Sequence, residues 1–223
     1  MLLVPFALGT TLGGWTWAAG LLLAAWLLAY LDSYYVSQYL RANRKQRFLA
    51  PIRVYTLLLV PVAGILLYLQ PWLAIAALAF VPFSLVTAYY SHAGRPRALP
   101  SGLASVTQAC LMAPLAYAFG GGDDGAVAAS VFAVTWLYFI GVLLYVKTVI
   151  RERGDPTYLR VSIAFHLVAL AAALWINPWF ALPFALYLTR ALVIPQRTLR
   201  PGQIGAIEIV NSILLVVTVL LAS

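Results

Sequence analysis

The sequence predicts an all-α transmembrane helical bundle, and three observations lead to that prediction. Of the 223 residues, 64% are hydrophobic and 9% are charged, and the mean hydropathy is +0.93. Because soluble domains are about 45–50% apolar and about 25% charged, this excess of apolar surface must face lipid. The apolar residues form long continuous runs rather than the alternating pattern of a β-barrel, and basic residues occur only in or beside alternate connections between those runs.

Nine apolar runs are separated by polar, glycine or proline residues. We interpret each run as a helix, because a spanning backbone must satisfy its own hydrogen bonds. The predicted helices cover residues 1–11, 16–39, 51–69, 72–90, 102–119, 126–147, 159–176, 179–194 and 203–222. The first run is shorter than the roughly 20 residues that cross a bilayer. The whole chain, 1–223, is predicted to form one transmembrane domain.

Two kinds of connection alternate along the chain. Basic residues mark every second one: Arg41, Arg44, Lys45, Arg47 and Arg53 at the second, Arg95 and Arg97 at the fourth, Lys147, Arg151, Arg153 and Arg160 at the sixth, and Arg190, Arg197 and Arg200 at the eighth. The other connections, at 13–14, 70–71, 120–125 and 177–178, contain none. The positive-inside rule places the basic connections in the cytoplasm, so we expect a multi-pass protein of the bacterial inner membrane. The net charge of +8 is then explained by the basic residues of the cytoplasmic connections, and we expect no nucleic-acid partner.

A shift of 107 residues aligns the two halves of the chain. It places Gly13–Gly14 on Gly120–Gly121, Arg53–Val54 on Arg160–Val161, and Pro71–Trp72 on Pro178–Trp179. We therefore predict a 4+4+1 duplication, with repeats at about 1–100 and 101–200 and a final helix at 203–222. Since each repeat has an even number of helices, both run in the same direction, and they are related by an axis along the membrane normal.

The same alignment makes the first helix one to two turns shorter than its counterpart. The partner of residue 102 would precede residue 1. We therefore expect the natural chain to begin upstream of Met1.

Few ionisable side chains lie within the predicted spans, where they are costly and therefore indicate function. Asp32 lies toward the inner end of the second helix, Asp155 follows the sixth, and Glu208 shares a face of the ninth with Asn211 and Ser212. These three acids are the candidate catalytic groups. Glu208 either pairs with a basic residue of a neighbouring helix or stays protonated. His166, near the middle of the seventh helix, fits a hydrogen-bonded packing residue.

The basic residues are expected to ring a cavity that opens toward the cytoplasm. The candidate substrate-binding residues are Arg44, Lys45, Arg53, Lys147, Arg151 and Asn211. Such a ring suits an anion with an apolar tail, for example a prenyl diphosphate or a phospholipid. Attraction to anionic lipid head groups explains the same ring, and Lys147, Arg151 and Asp155 also fit anchors that snorkel to the membrane surface.

Three segments carry a family resemblance: MLLVPFALG at 1–9, RKQR at 44–47 followed by PIRVY at 51–55, and KTVIRER at 147–153. They resemble the YwiC-like family of bacterial multi-spanning proteins, and the resemblance covers essentially the whole chain. In that family a His-Gly-Ala-Trp stretch commonly precedes the position of Met1, which agrees with the expected upstream start.

A more distant resemblance is to the UbiA-type intramembrane prenyltransferases, in the nine helices, the 4+4+1 repeat and the polar residues after helices two and six. It implies that Asp-rich motifs hold Mg²⁺ and an allylic diphosphate at those positions. Asp32 and Asp155 match as metal ligands. Val36 and Leu40 stand where a D-x-x-x-D motif needs carboxylates, so the metal site is incomplete.

Three functions therefore remain open. The first is a UbiA-like enzyme, or a relative of one, that binds a prenyl or lipid diphosphate. The second is a carrier of small solutes or lipids, favoured by the repeat and by prolines within the spans: Pro61, Pro82, Pro114 and Pro183. The third is a non-catalytic membrane protein that binds a lipid or a partner subunit.

Overall fold

The computed structural model describes residues 1–42, 45–197 and 199–222, and it confirms the all-α prediction: these residues form helices and turns without a β-strand. In chain order the helices are α1 (Leu3–Gly13), α2 (Trp17–Arg41), α3 (Gln46–Leu69), α4 (Leu73–Leu78), α5 (Val81–His92), α6 (Leu99–Cys110), α7 (Met112–Phe119), α8 (Gly125–Val146), α9 (Pro156–Ile176), α10 (Ala181–Val193) and α11 (Pro201–Ala222). A π-helical turn, Lys147–Arg151, extends α8.

Eight helical segments of the described chain are long and apolar enough to cross a membrane, and α1 is a shorter apolar helix of 11 residues. The prediction of nine helices with a short first one is therefore confirmed for these residues. Two of the segments each consist of two α-helices: α4 with α5 covers Leu73–His92, and α6 with α7 covers Leu99–Phe119. The third span begins earlier than predicted, at Gln46, so that Arg47 and Arg53 lie on a helix.

Proline explains where the two composite spans are interrupted. Its ring clashes with the carbonyl four residues earlier and it lacks an N–H. Helix α4 ends at Leu78, four residues before Pro82, and α6 ends at Cys110, four residues before Pro114. Pro61, in contrast, lies inside the continuous helix α3. Proline alone therefore does not decide whether a span is interrupted.

The core lies mainly in α1 and in α6 to α11. Helix α8 supplies many of its fully buried side chains, including Val134, Tyr138 and Phe139. Half of the apolar window in Leu99–Phe119 and in Gly125–Arg151 is buried, against 6% for the window in Gln46–Leu69. Helices α2 to α5 therefore form a peripheral layer with a large apolar outer surface, and the candidate site lies in the inner part of the bundle.

The basic connections meet at one end of the bundle, which we call the basic side. Lys147 Nζ donates a hydrogen bond to Arg97 O at 3.2 Å, which joins the end of α8 to the connection before α6. Arg153 Nη2 donates to Arg197 O at 3.2 Å, which joins the connections before α9 and before α11. The hydroxyl oxygens of Ser37 and Ser91, 2.6 Å apart, link the ends of α2 and α5 at the same end.

Glycine allows α1 and α7 to touch at the opposite, neutral side. A Cβ added at Gly13 would lie 2.1 Å from Tyr117 O, and one at Gly120 would lie 2.5 Å from Gly14 O. A Cβ at Gly9 would lie 2.2 Å from Ala113 O. Both helices advance in the same direction along this contact. Small residues that let two backbones approach closely are typical of helix association in membranes.

The predicted duplication stays a prediction. Two observations agree with it: α1 and α7 run parallel, and Gly13 contacts Gly120, which is its counterpart under the shift of 107 residues.

The glycine contact yields a matched pair of variants. Gly9→Ala should lower the melting temperature of the detergent-extracted protein by several degrees, because overpacking a tight contact costs about 1–3 kcal/mol. Gly20→Ala should leave it unchanged or raise it, because nothing lies within 4 Å of the added Cβ and alanine favours a helix by about 1 kcal/mol. Equal melting temperatures for the two variants would rule out the tight contact.

Candidate functional site

Buried polar side chains of α8 to α11 form the candidate site. Arg190 of α10 and Glu208 of α11 form an ion pair in which Arg190 Nη1 donates to both carboxylate oxygens, at 2.7 Å to Oε1 and 2.5 Å to Oε2. The Arg190 side chain is 5% exposed and the Glu208 side chain 15%. Because a buried ion is costly unless it is paired, each charge depends on the other. Pairing is one of the two alternatives that the sequence left open for Glu208.

The positions of the two residues in their helices bring the charges to the same depth. Arg190 lies three residues before the end of α10, and Glu208 lies seven residues after the start of α11. The connection between these helices lies on the basic side. At 1.5 Å per residue, Glu208 is about 10 Å from the start of its helix. The pair therefore lies inside the bundle, in the part nearer to the basic side.

Two tyrosine rings flank the guanidinium. Its central carbon lies 4.4 Å from the ring centroid of Tyr145 on α8 and 5.5 Å from that of Tyr187 on α10. Both distances are within the range of cation–π attraction. Tyr187 precedes Arg190 by three residues and so shares its helix face, and its hydroxyl donates to Asn211 O at 3.0 Å. Both rings are fully buried.

His166 of α9 contacts the guanidinium from another helix. Its Nε2 lies 3.5 Å from Arg190 Nη2, and its Nδ1 lies 2.7 Å from Ser162 O. Because arginine can only donate, Nε2 accepts, and the ring proton is on Nδ1, where it is donated to the carbonyl. A Cβ on Gly141 would lie 3.0 Å from Nε2, so glycine at that position makes room for the ring. His166 is hydrogen-bonded, as predicted, and it also contacts the ion pair.

In the part of the chain that the structure describes, some buried polar atoms of Arg190 and of nearby residues have no hydrogen-bond partner. Within the described residues, Arg190 Nε, Tyr145 Oη and Ser162 Oγ are buried and make no hydrogen bond. Helices α8 and α9 are antiparallel. On α8, Tyr145 lies four residues from Gly141 toward the basic side, and on α9, Ser162 lies four residues from His166 toward the same side. The two unbonded hydroxyls therefore belong to a residue that contacts the guanidinium, Tyr145, and to a residue whose carbonyl holds His166, Ser162.

A crevice of about 760 Å³ opens beside the ion pair, between α1, α2, α8 and α11. Its polar wall consists of Tyr138, Glu208 and Ser212. Tyr138 Oη lies 3.0 Å from Ser212 Oγ and 3.2 Å from Glu208 O, and Ser212 Oγ donates to Glu208 O at 2.7 Å. Ile209 and Ile213 on its rim are largely exposed, so the crevice opens on the surface that faces lipid. Among the predicted catalytic and binding residues that the structure describes, Glu208 lines this crevice and the others do not.

The two predicted cations of the sixth connection lie on the basic side in different settings. Lys147 is 5% exposed; besides its bond to Arg97 O, its Nζ lies 3.8 Å from Glu152 Oε1 and 5.7 Å from the ring centroid of Tyr158. Lys147 therefore ties connections together. Arg151 ends the π-helical turn and is exposed.

The predicted residues of the first half lie on α2, on α3 and between them. Asp32 Oδ1 accepts a hydrogen bond from Thr56 Oγ1 at 3.1 Å. Lys45 Nζ lies 5.4 Å from the ring centroid of Tyr39, and Arg53 is exposed on α3. Arg44 lies outside the described residues. No described contact joins these side chains to Lys147, Arg151 or Glu208.

The remaining predicted residues, Asp155 and Asn211, have structural partners within the protein. Asp155 is the N-cap of α9, where its Oδ1 accepts from Thr157 N at 2.7 Å. Asn211 accepts from Tyr187 through its main-chain oxygen. In the described ranges, no three His, Cys, Asp or Glu side chains are grouped so that they could hold a metal ion. Asp32 and Asp155 accept hydrogen bonds from Thr56 and Thr157, no described contact joins the two carboxylates, and we derive no step through a metal.

Comparison with known proteins decides the family. A family model described as YwiC-like protein matches residues 1–117, which is more than half of the chain. The chain belongs to the YwiC-like family. It is 30% identical to the uncharacterised protein YwiC of Bacillus subtilis over 214 residues, which cover 95% of this chain and 89% of the relative. It is 29% identical to an uncharacterised protein of Haemophilus influenzae over 226 residues, which cover 100% of this chain and 94% of the relative.

No solved structure matches the chain. The resemblance to the YwiC-like family is thus confirmed, whereas the more distant resemblance to UbiA-type prenyltransferases stays a prediction.

Several residues of the site were missed in the sequence. Arg190 was grouped with the basic residues of the eighth connection, and Tyr138, Tyr145 and Tyr187 were given no role. A signal was present: Glu208 is the acidic residue of the ninth predicted helix, and Arg190 is the basic residue inside the eighth. A carboxylate within a span calls for a cation from a neighbouring span, and these two helices are consecutive.

The two charges of the YwiC-like site are expected to depend on each other for stability. Arg190→Met or Glu208→Met alone should destabilise the protein by about 3–5 kcal/mol, because each leaves a buried charge without its partner. The double variant should lose less than the sum of the two single losses. Thermal unfolding in detergent measures all three.

The matched control is the pair Lys147 and Glu152, which is 3.8 Å apart with a 34% exposed carboxylate side chain. Its double-variant cycle should show weaker coupling than that of Arg190 and Glu208, because the Glu152 carboxylate, unlike buried Lys147, is partly exposed and keeps water as an alternative partner. Strictly additive losses for Arg190 and Glu208 would contradict the interdependence.

Proposed function

We propose that this YwiC-like protein binds, on its basic side, an amphiphile with a phosphate or diphosphate head group. A prenyl diphosphate or a lipid diphosphate fits this description. The observation that carries the proposal is the meeting of the basic connections at one end of the bundle. Lys147 and Arg153 tie three of these connections together through hydrogen bonds to Arg97 O and Arg197 O.

The charge balance of that side supports an anionic ligand. Since Arg190 is paired with Glu208, thirteen Lys and Arg residues remain near the basic connections, against the three acids Asp32, Glu152 and Asp155. Several of these cations are exposed: Arg95, Arg97, Arg151, Arg153, Arg160, Arg197 and Arg200. The positive-inside rule accounts for the side on which they lie. It does not require that separate connections be held within hydrogen-bond distance of one another, which concentrates the positive charge.

Arginine suits a phosphate head because its planar guanidinium can donate two parallel hydrogen bonds to phosphate oxygens. At the boundary between the helices and water, a head group on the exposed arginines would leave an apolar tail among the spans. In this proposal the exposed arginines supply the positive charge that a metal ion supplies in other diphosphate-binding sites. The proposal concerns binding and includes no chemical step.

Farnesyl diphosphate is a suitable probe for this binding. It should bind the full chain in nonionic detergent, and the double variant Arg151→Ala, Arg153→Ala should bind at least about tenfold more weakly, because a hydrogen bond to a charged group contributes about 1.5–3 kcal/mol. Isothermal titration calorimetry measures both affinities. Added salt should weaken the binding, since exposed charges are screened.

The control removes two exposed charges beside the second connection, between α2 and α3, as Arg41→Ala, Arg47→Ala, and its effect should be smaller. An equal loss in both double variants would mean that net charge alone is responsible. Unchanged affinity in the Arg151, Arg153 variant would overturn the proposal. Native mass spectrometry of the extracted wild-type protein should in addition detect a retained isoprenoid or lipid phosphate.

The proposal also requires the basic side to face the cytoplasm. In a Cys110→Ala background, which removes the buried native thiol, a membrane-impermeant maleimide added to intact bacteria should label Asp123→Cys on the neutral side. It should label Arg95→Cys only after the membrane is permeabilised. Labelling of Arg95→Cys in intact cells would place the basic side outside the cell.

A further inference from the structure

Within the described residues, the polar side chains that line the crevice, Tyr138, Glu208 and Ser212, offer hydrogen-bond acceptors and no free donor. The Ser212 hydroxyl donates its proton to Glu208 O at 2.7 Å. The Tyr138 hydroxyl donates within the same group, to Ser212 Oγ at 3.0 Å, to Glu208 O at 3.2 Å or to Glu208 Oε2 at 3.5 Å. Because both hydroxyl protons already take part in hydrogen bonds, the two hydroxyl groups can only accept hydrogen bonds from a ligand. The Glu208 carboxylate adds further acceptors.

The Arg190 donors do not reach the crevice. Arg190 Nη1 is bonded to the Glu208 carboxylate and Nη2 contacts His166, and Arg190 is not among the residues that line the crevice. Glu208 thus stands between the guanidinium and the opening. At this polar wall a phosphate head group would meet the Glu208 carboxylate, and like charges repel, so the wall is unsuited to the ligand proposed for the basic side.

Away from these oxygens the crevice is apolar. Its other walls are formed by side chains of four helices and the residues before α1: Met1, Leu2, Leu3, Val4, Leu27, Phe139, Val142, Ile209, Ile213, Val216 and Val217. From Glu208 to Val217 the crevice follows α11 for about 14 Å, at 1.5 Å per residue. Its volume of about 760 Å³ is within the usual 300–1,000 Å³ of small-molecule sites.

We propose that this crevice binds a lipid-soluble molecule with a long apolar chain and a hydroxyl head group that donates a hydrogen bond. The head group donates to Glu208, Ser212 or Tyr138, and the chain lies along α11 toward the neutral side. A hydroxyl that donates to a carboxylate forms a charge-assisted bond, which is stronger than a bond between neutral groups. A long-chain alcohol and an alkyl hydroquinone share this chemistry. The two hydrogen bonds from Arg190 fix the Glu208 carboxylate in position.

The first test compares ligands that differ only in the donor. Farnesol should bind the purified full chain at least about tenfold more tightly than farnesyl methyl ether, which keeps the oxygen and lacks the proton. A decyl hydroquinone should likewise bind more tightly than the corresponding quinone. Calorimetric titration in detergent gives all four affinities, and the comparison of farnesol with the hydroquinone shows which of the two sources the crevice prefers. Equal affinity for the alcohol and its ether would overturn the proposal.

The second test locates the ligand with a pair of variants on one helix. Val216→Trp fills the crevice and should abolish farnesol binding, whereas Val210→Trp, on a part of α11 outside the crevice, should preserve it. Circular dichroism and the melting temperature show whether each variant folds. If Val216→Trp fails to fold, the comparison of ligands on the wild-type protein still decides. Farnesol binding that survives in folded Val216→Trp would overturn the proposal.

A competition experiment separates this inference from the phosphate-binding proposal. Excess farnesyl diphosphate should not displace farnesol, and Arg151→Ala, Arg153→Ala should leave farnesol affinity unchanged. Displacement would show that the two ligands share one site, which would overturn the separate crevice site and leave binding on the basic side in place.

Discussion

The ion pair between Arg190 and Glu208 is the interaction on which the arrangement of the inner helices depends. It joins α10 to α11 at a depth where neither charge is tolerated alone. Tyr145 of α8 and His166 of α9 contact the same guanidinium, so one charged group orients four helices at once. The main-chain oxygens of Glu208 and Asn211 hold two further tyrosines, Tyr138 and Tyr187. An apolar pair of equal size would fill the same space without fixing how the four helices are oriented around it.

The two ends of the bundle are held by different chemistry. On the basic side, Lys147 and Arg153 donate to main-chain oxygens of other connections, so polar bonds bring the ends of the helices together. On the neutral side, Gly9, Gly13 and Gly120 let α1 and α7 approach until their backbones touch. Hydrogen bonds between connections are possible on the basic side because that end of the bundle is polar. The glycine contact on the neutral side relies on close van der Waals contact, which is available throughout the membrane.

Much of the fold could be predicted because hydropathy depends on local composition. The nine apolar segments and the sides on which the basic residues gather follow from runs of about 20 residues and from loop charge. The interruptions were harder to predict. Pro82 and Pro114 each follow a helix end by four residues while Pro61 lies inside α3, so packing around each proline, which the sequence does not display, decides the outcome.

The site was predicted less well, because depth and direction within a span are properties of three dimensions. Glu208 was recognised, since an acid in an apolar helix stands out, but Arg190 was grouped with neighbouring loop cations. Asp155 followed by Pro156 and Thr157 is a recognisable N-cap sequence, and in the structure it caps α9. Tyr138, Tyr145 and Tyr187 resemble any aromatic residue of a membrane helix until their partners are known.

The position of the crevice has a consequence for how it is filled. Its rim is made of exposed apolar side chains such as Ile209 and Ile213, so a molecule dissolved in the hydrocarbon can enter sideways without crossing water. Occupancy is then governed by the mole fraction of that molecule among the surrounding lipids and by two-dimensional diffusion, and aqueous solubility has no direct part in it. A compound almost insoluble in water can saturate such an opening as soon as it partitions into the leaflet.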